Sequence, residues 1–411
     1  MMKRDWNDRL RAGELIDPDA PGELLEEEPM LEVDKGATPA EDLRLPWRTV
    51  GSWGELDGQD WLNVEAPPRS WLLTDPWADI GGKVLSRGVV GVFASAGGVG
   101  KTFALLELAV LVASGSTDDE HNRLWLDRLK VSGGGRVLFL AGEESADELR
   151  RRLFAVVRRL CAEPDGYMRK QDRPVWPVAL KQRVRDRLVL VPTVGLPELA
   201  LLTVDGGGNM RPSARHAELV ERLREGEEPW DLVIVDPMVR FAAGEIDKDN
   251  QAASALIGAF EAFVKAGARE GHPGPAVLVA HHTSKASRGD AYQEESTPSA
   301  EDVRGASALV DNARWAAVMK PKKGPAGREA VAFGVVKSNY GSKPGFDLLR
   351  DESGVLRVPT LAERMEWQDG LESEHERRGE KKEEKKQAEK RGKEKAKAKA
   401  DAAPAVRPEP L

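Results

Sequence analysis

Ser95-Ala96-Gly97-Gly98-Val99-Gly100-Lys101-Thr102 is the stretch on which the reading of this chain turns. The apolar segment Val89 to Ala94 runs into it, and beyond it Leu105, Leu108, Leu111 and Val112 recur at helical spacing. Strand, glycine-rich turn and helix, in that order, are the context in which G-x-x-x-x-G-K-[ST] is a phosphate-binding loop (P-loop) and not a chance match. Ser95 stands where that pattern has glycine, a departure of one small residue for another. Gly97, Gly98 and Gly100 let backbone N–H groups converge on a β-phosphate, helped by the positive end of the helix dipole. Lys101 then neutralises the β- and γ-phosphates, and the Thr102 hydroxyl ligates Mg²⁺. The loop from Ser95 through Ala96, Gly97, Gly98, Val99 and Gly100 to Lys101 and Thr102 therefore predicts ATP and Mg²⁺ as cofactors.

Outward from the loop, short apolar runs alternate with helical patterns: Val137 to Ala141, Leu188 to Val191, Leu232 to Val235 and Val277 to Ala280. Continuous apolar strands separated by helices are buried on both faces, so an α/β core with a mostly parallel central sheet flanked by helices is expected. Trp315 to Met319, Ala330 to Val336 and Phe346 to Leu349, punctuated by Gly and Pro, read as added strands joined by tighter turns. The chain thus reads as an acidic, mostly irregular arm over 1–65, a core over 66–360, and a charged tail over 361–411. That tail, with Glu380-Lys381-Lys382-Glu383-Glu384-Lys385-Lys386, is expected to be a solvated helix or disordered.

The formal net charge of −8 excludes a protein that coats nucleic acid by bulk charge, so nucleic-acid contacts are expected only locally. One cysteine, Cys161, excludes an intrachain disulfide and a cysteine-rich zinc site and suits a reducing cytoplasm. The most apolar stretch, Phe103 to Ala113, is interrupted by Glu107, so neither a membrane span nor a signal peptide is read, and a cytoplasmic protein is expected.

Hydrolysis needs a carboxylate near Mg²⁺ and a group that activates water. Asp231-Leu232-Val233-Ile234-Val235-Asp236 is an apolar strand ending in a carboxylate, which makes Asp236 the metal-side acid; the alternative is a turn former. Val137 to Ala141 delivers Glu143 and Glu144 ahead of a helix over Asp147 to Arg159. On the usual nucleotide-binding strand order that strand end lies beside the phosphate loop, and Glu143 is the candidate general base. The other reading of the two glutamates is a favourable charge at a helix N-terminus. A third strand ends in His281-His282-Thr283-Ser284-Lys285, and either histidine is a candidate γ-phosphate sensor; two adjacent histidines without a further ligand are a poor zinc site.

In this order the motifs resemble the RepA-type hexameric plasmid replicative helicases, a branch of the RecA-like P-loop ATPases, from Trp71 to Pro359. The resemblance rests on Ala94 to Thr102, Ala141 to Leu153, Asp236-Pro237-Met238-Val239-Arg240-Phe241 with Asp247 to Asn250, and His281 to Lys285. Most specific are Arg304-Gly305-Ala306-Ser307-Ala308-Leu309-Val310-Asp311-Asn312-Ala313-Arg314-Trp315 and Lys337-Ser338-Asn339-Tyr340-Gly341. It implies a homo-oligomeric, hexameric ring with ATP at each interface, Glu143 activating water, and Arg314 reaching the neighbour's nucleotide with help from Lys337. Read without the resemblance, Arg314 is equally a surface guanidinium stacked on Trp315. The resemblance also implies a helicase or translocase working on single-stranded DNA beside replication proteins, with loops Ala242 to Asn250 and Ser284 to Val303 facing the channel. The second loop carries Lys285 and Arg288, with Arg304 directly after it, but also Asp290, Glu294, Glu295, Glu301 and Asp302, and Tyr292 is its one aromatic. That balance is acidic for a strand-binding loop. A RecA-like regulatory or recombination-associated ATPase without unwinding activity is the competing expectation.

Overall fold

The computed structural model describes residues 60–78, 82–115, 124–161, 178–244, 248–283, 297–303 and 307–401, together with 49, 50, 52, 58 and 246. The chain falls into two units, Met1–Pro68 and Arg69–Leu411. Most of the acidic arm, including all of 1–48, lies outside the described residues. The second unit carries the sheets.

Its elements run β1 (Trp71–Thr74), β2 (Lys83–Ser86), β3 (Val90–Ser95), α1 (Lys101–Ser114), β4 (Leu124–Trp125), β5 (Leu129–Val131), β6 (Arg136–Ala141) and α2 (Ala146–Cys161). Then come α3 (Val178–Arg187), β7 (Leu188–Pro192), β8 (Leu202–Val204), β9 (Met210–Pro212), α4 (Ala214–Arg224), β10 (Trp230–Asp236), α5 (Asn250–Ala266) and β11 (Ala276–His282). The last part holds α6 (Ser307–Asn312), β12 (Trp315–Lys323), β13 (Glu329–Ser338), β14 (Gly345–Arg350), β15 (Leu356–Arg357) and α7 (Leu361–Asp401).

The central sheet is nine-stranded, in the order β15-β14-β13-β12-β3-β11-β10-β6-β7. From β12 to β7 every neighbouring pair is parallel, whereas β13, β14 and β15 are added antiparallel. The apolar runs explain this: every residue of β3 and β10 is buried, which needs helices on both faces of the sheet. Side chains alternate between faces along a strand. On one face Phe93, Phe139 and Leu278 pack under α1, α2 and α3; on the other Val92, Val233 and Val279 pack under α4, α5 and α6. Gly91 is required in β3, because a Cβ there would lie 2.9 Å from the Trp315 ring.

A smaller antiparallel sheet, β2-β1-β5-β4, lies outside the periodic pattern and was not anticipated from the sequence. Its strands are two to four residues long, too short for alternation to register. Trp125 joins it to α1: its indole N–H donates to the Ala104 carbonyl at 2.7 Å, and its ring meets Phe93 and Phe333 at 5.8 Å each. A buried polar node ties the small sheet to the large one. Asp231, at the start of β10, accepts from Arg87 Nε and from His272 Nε2 at 3.0 Å, and Arg87 donates onward to the Trp71 and Ser132 carbonyls. Burial alone would raise the Asp231 pKa, but the His272 hydrogen bond and the Arg87 charge outweigh it and hold the carboxyl below its ordinary value.

Glu107 is the opposite case. It sits in α1 with 2% of its surface exposed and one carboxyl oxygen without a hydrogen-bond partner. Burial, with the Asp127 charge added, pushes its carboxyl well above the ordinary value of 4.5. An acid raised on folding contributes stability that is complete below its unfolded pKa and is lost as pH rises through the folded one. Glu107→Gln removes that loss. Its denaturation midpoint should match the wild type below about pH 4, where the glutamate is protonated in both states, and lie above it at pH 9. Equal midpoints at both pH values would show that Glu107 is already ionised in the fold.

α7 opens where the core ends. Its first turns are rooted by a bidentate pair, Arg357 to Glu363 with both bonds at 2.7 Å, by Arg328 to Glu363 at 2.8 Å, and by Trp367, buried against Ala330 and Leu349. The Arg357 guanidinium holds the Glu363 carboxyl far below the usual carboxylate range.

Candidate active site

Parallel strands deliver their C-terminal ends to one edge of a sheet, and here β3, β11, β10 and β6 bring Ser95, His281–His282, Asp236 and the Glu143 segment to the same edge. The turn after β3 has Gly98 at φ +79° and Gly100 at φ +106°, backbone states that favour glycine. A Cβ at Gly97 or Gly98 would meet no atom within 4 Å, so the loop borders open space at both positions. Lys101 begins α1 with its Nζ 3.3 Å from the His281 carbonyl oxygen, to which it donates, and 3.6 Å from Asp236 Oδ1. The Thr102 hydroxyl donates to Asp236 Oδ2 at 2.7 Å. Lys101 and Asp236 are 8% and 6% exposed, so this cluster is formed in a nearly dry setting where charge interactions are strong.

The expected strand order needs correction. The strand that carries Glu143 is not beside the phosphate-loop strand: β11 and β10 intervene, so β6 lies about 14 Å across the sheet from β3 at the usual strand spacing. The neighbours of β3 are β11, the histidine strand, and β12. Sequence order alone does not fix spatial order, because each helix can carry the chain past one strand or several. Glu143 instead follows Ala141, which is the lateral partner of Asp236. Its side chain is exposed and carries no hydrogen bond or ion pair with the described residues. Glu144 is occupied, paired to Arg152 at 2.7 Å. Gly142, between Ala141 and Glu143, is required, since a Cβ there would lie 2.8 Å from Arg240 Cβ.

His281 and His282 stand opposite Ala94 and Ser95. Alternation puts His281, 1% exposed, on the α5 face and His282 on the face that carries α1 and Lys101. No group of three or more His, Cys, Asp or Glu residues among the described residues is arranged to hold a metal by itself.

Arg314 and Lys337 are brought together, but at the opposite edge of the sheet. Arg314 precedes β12, where Trp315 pairs with Gly91 at the start of β3 and Met319 pairs with Ser95 at its end. Four strand residues and the connecting peptide therefore put Arg314 about 16 Å from the level of its own phosphate loop. Its side chain is exposed, whereas Trp315 is 2% exposed and faces Gly91 in the core. The stacked-guanidinium reading of Arg314 is thereby overturned. Lys337 Nζ donates to the Val310 and Asp311 carbonyls at 2.8 and 2.7 Å, capping α6, and burial together with the Arg314 charge lowers its pKa. Lys285, Arg288, Tyr292, Arg304 and Asp247 lie outside the described residues.

One residue at the site was missed from sequence: Arg350, the last residue of β14, whose guanidinium donates to the Gly98 carbonyl. No local motif marks it, since its approach depends on how the antiparallel strands stack onto β12.

An α/β sheet with a glycine-rich loop, an invading lysine and a Thr–Asp pair at its C-terminal edge defines a P-loop nucleotide-binding domain. The chain belongs to the AAA domain family, whose model matches residues 55–288. Arg314, Lys337 and Arg350 lie beyond that match. Two solved structures are similar to it at 14% identity. One is an ATPase domain, with a TM-score of 0.41, covering 67% of this chain and 86% of that one. The other is a DnaB-like replicative helicase studied with its interactions with primase, with a TM-score of 0.42, covering 67% of this chain and 58% of that one. No helix among the described residues is long and apolar enough to cross a membrane.

Proposed function

We propose that this chain is an ATP-hydrolysing, ring-forming DNA helicase or translocase of RepA type, acting on single-stranded DNA. The observation that carries the ATPase part is the Lys101–Thr102–Asp236 cluster beneath an open glycine cradle. The Thr102 hydroxyl and the Asp236 carboxylate form the oxygen donor set that suits Mg²⁺, and the cradle offers N–H donors where phosphates would lie. Bound there, Mg²⁺ would neutralise charge developing on the phosphoryl oxygens. Lys101, now bonded to the His281 carbonyl, turns to the phosphates; Glu143 takes a proton from water; His282, on the α1 face, senses whether the γ-phosphate is present.

The ring is supported by the placement of Arg314. An exposed cation without a partner among the described residues, at the edge away from its own nucleotide, serves no nucleotide of its own subunit but fits a neighbour's. Lys337 anchors α6 immediately before Arg314, so its help is to hold the segment that presents that arginine.

The competing reading, a RecA-like regulatory or recombination-associated ATPase without unwinding, is favoured by the acidic balance of 284–303. One paired measurement separates them: ATPase rate with and without single-stranded DNA, together with solution mass. A hexamer whose rate rises with DNA is expected; a ring or monomer indifferent to DNA would leave the regulatory reading standing.

A further inference from the structure

Arg350 reaches the phosphate loop from a part of the sheet outside the motif. β12 is parallel to β3, and β13 and β14 each reverse direction, so β14 ends at the same edge as β3. Leu349 stands opposite Ala330, which stands opposite Lys322, and Lys322 lies beyond Met319, the partner of Ser95. Arg350 therefore overhangs the loop. Besides its bond to the Gly98 carbonyl, its Nη2 lies 3.6 Å from where a Gly100 Cβ would be, and Leu356 of β15 lies 3.3 Å from the same point.

The hairpin that presents Arg350 is stiff. Asp351 Oδ1 accepts from Ser353 N at 2.9 Å, Ser353 Oγ at 2.6 Å and Val355 N at 2.9 Å, and Asp351 N donates to the Val355 carbonyl at 2.9 Å. Glu329, whose side chain is 82% exposed, approaches Arg350 Nε only to 3.6 Å and competes weakly.

In a trans peptide the C=O and N–H lie in one plane and point in opposite directions. The Gly98 carbonyl shares its plane with the Val99 N–H, so a cation that holds the carbonyl outward turns that N–H into the cradle. The N–H is available: its contact to the Ala96 carbonyl is 3.5 Å, too long for a strong hydrogen bond. The glycines that let backbone approach a phosphate also leave this peptide without side-chain restraint, since nothing lies within 4 Å of a Cβ at Gly97 or Gly98.

We propose that Arg350 is a positioning residue of the nucleotide site, acting within its own subunit to fix the Gly98–Val99 peptide so that the Val99 N–H meets the β-phosphate. The inference rests on the nucleotide-site reading above. It separates two jobs for cations: Lys101 contacts phosphate, whereas Arg350 holds the backbone that does.

The test uses the full chain as wild type, Arg350→Ala, Arg350→Lys and Lys101→Ala, titrated with fluorescent ADP and with a non-hydrolysable fluorescent ATP analogue in Mg²⁺. Arg350→Ala should weaken both ligands by the same factor, about tenfold to a hundredfold, because the β-phosphate is common to them. Melting without nucleotide should move little, and Arg350→Lys should lie between, since an ammonium can donate to the carbonyl but lacks the planar fork. Unchanged affinity for both ligands overturns the proposal. So does a loss confined to the ATP analogue, which would make Arg350 a direct γ-phosphate contact. If the alanine variant does not fold, the same two outcomes are read from Arg350→Lys. A Lys101→Ala chain that binds both ligands normally would sink the nucleotide-site reading itself, whereas its failure beside normal binding by the Arg350 variants sinks only the role of Arg350.

Discussion

Glu143→Gln should lower the rate constant for ATP hydrolysis by about a thousandfold while leaving nucleotide affinity close to that of the wild type. The reason is in the register. Glu143 emerges two residues past Ala141, the partner of Asp236, and its carboxylate is exposed and uncommitted. A general base must be free to accept a proton, and Glu144, held by Arg152 at 2.7 Å, is not. Gln keeps the shape and loses the basicity, so binding, which depends on the loop and on Lys101, is spared. Single-turnover hydrolysis and nucleotide titration on the same preparation check both halves. Near-normal turnover in Glu143→Gln would return this glutamate to the bland role of a charge near the start of α2.

Arg314→Ala should be as damaging, by about a thousandfold or more, and its effect should cross subunit boundaries. In the proposed ring, each nucleotide site would combine the loop of one subunit with Arg314 of the next. Mixing Arg314→Ala chains with Lys101→Ala chains should therefore restore hydrolysis, because some interfaces join an intact loop to an intact arginine. The basis is distance: Arg314 and the loop stand at opposite edges of one sheet. Full activity of Arg314→Ala chains on their own, or mixtures no more active than their parts, would remove the trans assignment.

The central strands were legible because burial on both faces writes itself as unbroken runs such as Leu232 to Val235. The boundaries of the five strands from Val89 to Ala280 shifted by no more than two residues, since strand ends reach into polar groups that sequence counts as loop: Ser95, Asp236 and His282 all close their strands. Lateral order was not legible. Glu143 was expected next to the phosphate loop and stands beyond Asp236, because nothing in a βαβ connection records how many strands it passes. The small sheet escaped for want of length, and Trp125, which pins it, reads in sequence as an isolated aromatic. Arg350 escaped for a different reason: its target is a backbone carbonyl, and backbone carbonyls leave no trace in side-chain patterns. The Arg314 region shows the reverse, where the residues were chosen from a motif and the sheet topology then supplied a reason for their distance from the loop.

The long terminal helix has a practical consequence for measuring subunit number. A helix of 41 residues rises about 60 Å, and among the described residues the contacts that fasten it to the body lie in its first turns. A rod of that length adds friction out of proportion to its mass. Gel filtration against compact standards should accordingly overstate the size of the particle, and even a single chain should elute ahead of its 45.0 kDa. Sedimentation equilibrium or light scattering, which weigh rather than time the particle, are the measurements from which a subunit count should be taken.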